Sequence, residues 1–369
     1  MDNFKIFADP ETLDSNALAQ FMEAMAQPNI VKGALMPDAH KGYTLPIGGV
    51  IASEGIVYPS CVGYDIGCGM CAAIVSGITK DDIEHPDERK LISEDIYNAV
   101  PVGFNSHDNP NYVFELTKHN HTEISHDVWT RSRVNPLRQL GTLGSGNHFI
   151  EIGYDEQDRV WIVIHSGSRN FGWKIAQTYM ILASGTGKAS EGFFGFDEES
   201  EHGKNYIIDQ QLALDFALIN RKTIMNAVCE IVGNGYEQDS FINRNHNHAE
   251  KKDGLWIHRK GATHAEEGMM GVIPGNMRDG SFIVRGKGNP DSLFSSSHGA
   301  GRVLGRKQAK RELSLEEFQS TMEGIEAKVE NGTLDESPMA YKDIFQVMEL
   351  QKELVDVLHH ITPLINIKG

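Results

Sequence analysis

Residues 148–165 read HFIEIGYDEQDRVWIVIH, and the fold class follows from this stretch. Two short runs, HFIEIG and VWIVIH, are rich in β-branched and aromatic side chains and predict strands. His148 opens the first and His165 closes the second, so ring nitrogens fall where strands meet loops. A rigid sheet can present polar groups there. Outward from this stretch, GGVIA (48–52), CAAIVSG (71–77) and SFIVRG (281–286) predict further strands, each close to a glycine cluster. Helical spacing is clearest from Asn205 to Val232, where Ile208, Leu212, Phe216, Ile219, Ile224, Val228 and Ile231 recur mostly every three or four residues. Other helices are expected over residues 11–27, from a capping box at Ser314 and Glu317 to about Val329, and from about Asp343 to His360. With no internal repeat and no long linker, the expectation is one α+β domain over residues 1–369. Central β-sheets would be flanked by helices, with polar residues on the loops at the strand ends, where an active site can be assembled.

Of the 369 residues, 40% are hydrophobic and 23% charged, which excludes a disordered or coiled-coil chain. No run approaches the roughly 18 unbroken apolar residues of a membrane span, and the start lacks the pattern of a signal peptide. The expected setting is soluble and cytoplasmic, with no membrane partner. The net charge of −17 argues against a nucleic-acid partner until it is located. Residues 244–311 hold 13 Lys and Arg against six acids, a local +7, and the rest of the chain carries −24. A basic island in an acidic chain points to a local polyanion site or to a solvated charged face.

Four cysteines are too few for a disulfide framework. Cys68 and Cys71 form one Cys-x-x-Cys pair, but no second pair exists for a four-thiolate zinc site. Cys71 opens an apolar run and Cys229 lies among helical core positions, so both read as buried core. In GYDIGCGM, glycines let the backbone turn so that Asp65 and Cys68 can point at one place. A carboxylate and a thiolate together suit a transition metal or, alternatively, a structural loop. His148, His165 and His246 adjoin polar Gly, Ser and Asn segments. With Asp65 and Cys68 they can hold two ions bridged by the thiolate, and the mixed donors do not decide among Mn, Fe, Co and Zn. His298, in SSSHGAGR, has room for a phosphate to approach a neutral imidazole nitrogen, and Arg302 and Arg169 can clamp phosphate oxygens. No Walker A sequence is present. Lys251-Lys252-Asp253-Gly254 fits the Lys-x-Asp-Gly pattern of lysine nucleotidyltransferases, and reads equally well as a charged hairpin turn.

In order along the chain, MPDAHKGYTLPIGGV, GYDIGCGM, GTLGSGNHFIE, HSGSR, NHNHAE, HRKGAT, GVIPGNM, SHGAGR, AYKDI and the terminal IKG resemble the RtcB family of RNA-splicing ligases from about residue 30 onward. The resemblance implies an enzyme that joins RNA 3′-phosphate or 2′,3′-cyclic phosphate ends to 5′-hydroxyl ends, using GTP and two Mn²⁺ ions. It implies Asp65, Cys68, His148, His165 and His246 as manganese ligands, Cys68 bridging, and His298 as the nucleophile that carries GMP. An archease-type activator is an implied partner. The guanylate pocket carries over onto Asn147, Phe149, Glu151, His246, Asn247, Pro274, Gly275, Asn276, Met277, Ser281, His298, Gly299, Ala300, Gly301, Tyr341 and Lys368. Glu151 would accept from guanine N1 and N2, Lys368 would donate to O6, and Tyr341 would stack on the base. Asn276, Gly305 and Thr44 depart from the residues usual in the family. The competing readings are a metal-dependent 2′,3′-cyclic phosphodiesterase and an inactive module that binds RNA ends.

Overall fold

A computed structural model describes residues 3–110, 114–189 and 192–369. Its larger sheet runs in the order Met270–Pro274, Ser281–Gly286, Val355–Lys368, Phe149–Tyr154, Arg159–Ser166, Gly69–Thr79, Ile242–Asn245, all antiparallel, and Glu326–Ala327 adds to Val355–Lys368 in parallel. The period-2 alternation of strands sorts the side chains of Gly69–Thr79 onto two faces. Cys71, Ala73 and Val75 pack with Ile162, Ile164 and the helix Glu201–Val232 through Ile224, Met225, Val228 and Cys229. Met70, Ala72 and Ile74 turn the other way and meet Val163, Ile242, Val272 and Ile283. Ile242 and Val272 come from opposite ends of the strand order, so the sheet curls on itself toward closure.

The smaller sheet is ordered Phe4–Ile6, Ile30–His40, Ile47–Glu54, Leu255–Lys260, Asn247–Lys252. One face packs under the helix Ser15–Met25 through Phe21 and Ala24. The other packs Ala34, Met36, Val50 and Ile257 against Ile273, Phe282 and Val284 of the larger sheet. His246 is the single residue between Ile242–Asn245, in the larger sheet, and Asn247–Lys252, in the smaller.

The α+β class and all five expected strand runs are present. The expected helix over residues 343–360 is a correction. It stops at Leu350, and Val355–Lys368 is a strand. Val355 to Ile361 pair with Ser281–Gly286, and Thr362 to Lys368 continue along Phe149–Tyr154 with Ile361, Ile365 and Ile367 fully buried, so sheet pairing overrides the apparent helical spacing. The helix from Ser314 is also shorter, Leu315–Thr321, and ends before Gly324, whose φ of 85° is left-handed. Helices Pro86–Ala99 and Arg169–Ser184 have too little apolar periodicity to stand out in the sequence.

Candidate functional site

The loop of residues 63–68 turns sharply into the strand Gly69–Thr79, with the Cys68 N–H donating to the Asp65 carbonyl at 3.1 Å. Cys68 Sγ then lies 3.3 Å from His148 Nε2 and 3.1 Å from His165 Nε2. His148 Nε2 is 3.2 Å from Asp65 Oδ2, and His165 Nε2 is 3.3 Å from His246 Nε2. The donors form two groups, Asp65–Cys68–His148 and Cys68–His165–His246, each within 4.8 Å, and Cys68 belongs to both.

The shell behind these donors fixes their direction. The Leu143 and Asn147 carbonyls lie 3.0 and 3.1 Å from Nδ1 of His148 and His165, which leaves both Nε2 atoms aimed at the thiol. A Cβ at Gly167 would collide with the Asp65 carboxylate, so glycine is required beside it. Buried Arg221, from the helix Glu201–Val232, donates to the carbonyls of Gly67 and Ser166 and to the amides of Asn243 and Asn245, knitting together the loops that carry the donors.

Burial holds His165 and His246 well below the ordinary histidine range, which keeps them neutral, the form that ligates a metal. Burial, then the adjacent Asp65 charge, pushes the Cys68 thiol well up. Asp65 is half-buried, and its partial desolvation acts to raise it, but hydrogen bonding to His148 and the charges of His148 and Arg169 hold it below the usual carboxylate range. Oxygen, nitrogen and sulfur donors converging on one thiol fit a pair of divalent transition-metal ions.

His298 follows the short strand Ser295–Ser297, and its ring lies 4.7 Å from that of His246, centroid to centroid. Nδ1 sits 2.7 Å from Oδ2 of Asp38, which is fully buried on the strand Ile30–His40. Gly301, at φ 78°, lets the loop pass the Asp38 carbonyl where any Cβ would clash. With Nδ1 held by a carboxylate, Nε2 is the free ring nitrogen.

Asp65, Cys68, His165, His246 and His298 line one cavity of about 1090 Å³. So do Asn147, Phe149, Glu151, Asn247, Pro274 to Met277, Gly299 to Arg302, Tyr341 and Lys368. His148 stands behind Cys68, Arg169 behind His148 with a ring contact at 3.4 Å, and Ser281 beside Glu151; these three do not line the cavity. Among the described residues Glu151 Oε1 and Ser281 Oγ, both buried, have no hydrogen-bond partner, which leaves an acceptor and a donor for a ligand. Burial raises the Glu151 carboxyl to about 8, against the pull of the neighbouring Ser281 hydroxyl and the Lys368 charge.

Lys368, Arg302 and Tyr341 share a partner that sequence reasoning does not single out. Glu336 accepts from Lys368 Nζ at 3.0 Å, from Arg302 at 3.1 Å and from the Tyr341 hydroxyl at 2.5 Å. The Arg302 guanidinium also lies 4.9 Å over the Tyr341 ring. Arg302 is therefore anchored to the cavity wall.

Lys251 is outside the cavity, paired with Glu198 at 2.6 Å, and Asp253 and Gly254 have the left-handed φ values of a hairpin turn. Cys61, Cys71 and Cys229 are buried among apolar side chains. Most of the basic island is spent on ion pairs such as Lys252–Glu266 and Lys287–Asp356. Arg306, Lys307 and Arg311, on the helix Arg306–Glu312, face the cavity mouth. Asn276 braces a turn through Arg278 and Asp279. Among the described residues no helix is long and apolar enough to cross a membrane.

The family model described as tRNA-splicing ligase RtcB matches residues 20–369. The chain belongs to the RtcB family. It is 35% identical to the RNA-splicing ligase RtcB of Escherichia coli K12, over 99% of this chain and 97% of that protein. It is 30% identical to the tRNA-splicing ligase RtcB of Archaeoglobus fulgidus, over 95% and 88%. With the tRNA-splicing ligase RtcB of Pyrobaculum aerophilum the identity is 28%, over 94% and 90%.

In this RtcB chain, three residues that shape the site escape a reading of the sequence. Asp38 and Arg221 act across 260 and up to 154 positions, and Glu336 sits in an otherwise ordinary acidic segment. The only signal for Asp38 was its place in MPDAHKGY, a stretch without a proposed role.

Proposed function

We propose that this protein is an RNA ligase, a single domain over residues 1–369, that joins an RNA 3′-phosphate to a 5′-hydroxyl through a guanylated histidine. The reading is carried by one observation: an imidazole oriented by a buried carboxylate stands beside a five-donor cluster, in a cavity large enough for a nucleotide. Asp65, Cys68, His148, His165 and His246 would hold two Mn²⁺ ions, which when bound offset phosphate charge and orient phosphate oxygens.

His298 Nε2 attacks the α-phosphorus of GTP. A nitrogen–phosphorus bond forms, the α–β bridging bond breaks, and pyrophosphate leaves. Asp38 holds the Nδ1 proton and offsets the positive charge that develops on the ring. An oxygen of the RNA 3′-phosphate next attacks the same phosphorus, and the electron pair returns to Nε2. A cyclic end must first be opened by water to the monoester. The 5′-hydroxyl oxygen then attacks the RNA phosphorus, GMP departs, and the hydroxyl proton passes to solvent. Guanylation converts a poor electrophile into one with a good leaving group. Glu151 and Lys368, diagonal neighbours in the strand pair Phe149–Tyr154 and Val355–Lys368, where Glu151 faces Asn366 and Lys368 faces Phe149, would read the guanine edge.

Labelled GTP and Mn²⁺ test the reading. A covalent guanylate that disappears in His298→Ala and joined product from 3′-phosphate and 5′-hydroxyl RNAs support it. A cyclic phosphate opened without adduct or joining favours the phosphodiesterase, and an adduct lost in Lys251→Ala but kept in His298→Ala overturns the histidine.

A further inference from the structure

The cavity mouth carries an aromatic group that none of the steps above uses. Tyr43 lines the cavity and is 56% exposed. Its ring meets that of Tyr64 edge-on, 6.1 Å between centroids. Tyr64, next to Asp65, in turn lies nearly parallel to Trp173, at 5.6 Å and 20°. Trp173 is 37% exposed and stands on the helix Arg169–Ser184, four residues past Arg169 and so on the same face. Lys260 Nζ lies 5.7 Å from the Tyr43 ring, Lys174 Nζ 4.9 Å from the Trp173 ring, and exposed Lys41 lines the cavity next to Tyr43. Tyr64 alone would pack the loop of residues 63–68 against the helix. Two large rings left open to solvent on either side of it are not needed for that packing.

Aromatic faces interleaved with cations are the chemistry that holds single-stranded nucleic acid, because every base has a π-face and every linkage a charge. We infer that Tyr43 and Trp173 are stacking platforms for unpaired bases of an RNA strand whose end reaches the Asp65–Cys68 cluster, Tyr64 being the spacer that fixes the two rings. Lys41 and Lys174 take the flanking phosphates. The inference rests on the RNA-ligase reading and adds to it a requirement: the end to be joined must be unpaired over its last few nucleotides.

The test uses the full chain with Trp173→Ala and Tyr43→Ala, measuring the KM for RNA, the KM for GTP and the yield of guanylate adduct. The RNAs are intact or carry abasic positions near one terminus, the 3′-phosphate or the 5′-hydroxyl strand in turn. Each alanine should raise the KM for intact RNA roughly 5- to 100-fold. For Trp173→Ala, GTP parameters stay unchanged, the effect disappears on RNA made abasic in the stacked strand, and Trp173→Phe restores most of the loss. An unchanged KM, or an equal rise on intact and abasic RNA, overturns the inference and leaves the rings as packing or as a site for a protein. Should no joining be detected at all, quenching of Trp173 fluorescence by a short single-stranded RNA decides independently, with Trp173→Phe as the blank. Quenching by the intact but not the abasic oligonucleotide upholds the platform, and no quenching sinks it.

Discussion

Asp38 Oδ2 lies 2.7 Å from His298 Nδ1 and accepts the His298 backbone N–H at 3.3 Å, so one buried carboxylate sets both the ring and the loop that carries it. The pairing is that of an acid holding a histidine in one tautomer for work at the other nitrogen. Asp38→Asn should therefore cut guanylate formation by about 10²- to 10⁴-fold while the fold persists. The check is adduct yield beside an unchanged circular dichroism spectrum. Normal adduct formation in Asp38→Asn would show that the carboxylate is only structural.

Cys68 is the donor common to both groups, so its loss should remove more metal than the loss of any one histidine. Elemental analysis of Cys68→Ser is expected to show most of the manganese gone. Cys71→Ser and Cys229→Ser should keep their metal and lose about 1–3 kcal/mol of stability from a buried hydroxyl. Equal metal in Cys68→Ser and the parent would refute the ligand assignment.

Gly167 makes a sharper variant, because the three atoms nearest to added volume there all belong to the Asp65 carboxylate. Gly167→Ala should lower metal occupancy severalfold with little change in the thermal midpoint, as the displaced carboxylate loses its aim. Full occupancy in Gly167→Ala would mean that Asp65 is not a ligand.

Glu151 gives a pH signature. Burial raises its carboxyl from about 4.5 to about 8, so the folded protein binds a proton that the unfolded chain releases. The stability from this proton is fully present below pH ~4.5 and is lost as pH rises through ~8, a matter of up to a few kcal/mol. Urea midpoints of the ligand-free protein should fall across that window and flatten in Glu151→Gln. If the two proteins share one pH profile, Glu151 is ionised in the fold. Guanine recognition by the carboxylate would also release a proton, measurable as buffer-dependent heat.

Glu336 is the buried hub of Lys368, Arg302 and Tyr341. Removing one member of a buried charged network leaves the others uncompensated, at a cost of roughly 3–5 kcal/mol. Glu336→Ala should show that loss in urea denaturation and a raised KM for GTP, whereas Glu336→Gln, which still accepts from Tyr341, should lose less. Equal stability of all three proteins would remove the network from any structural role.

Much of this site is legible in the sequence because its parts are local. The Gly-rich turn around Cys68, the strand-end positions of His148 and His165, and His298 among small residues are all signalled by neighbours a few positions away. Asp38 and Glu336 are not. Each is an ordinary acid whose importance comes from burial against residues dozens to hundreds of positions distant, and pattern carries no such information. The same reason explains the terminal strand. Apolar spacing up to Leu358 suits the helix expected from about Asp343 to His360, and only pairing with Ser281–Gly286, continued along Phe149–Tyr154, makes its second half a strand. Arg302, whose type suggests a phosphate clamp, donates to Leu304, Glu336 and Tyr341 in the cavity wall, partners that its neighbours in the chain do not signal.

His246 is the one residue between a strand of the curled sheet and a strand of the smaller one. An ion bound there would act as a rivet through both layers, tying a ligand at the crossing point to Cys68 and His165 on one side while His298 and Asp38 hang from the other. Loading should then slow amide exchange in Ile242–Asn245 and Asn247–Lys252 together, and stripping the ion should free the layers to slide, drawing the nucleophile away from its phosphate before any bond in the protein is broken.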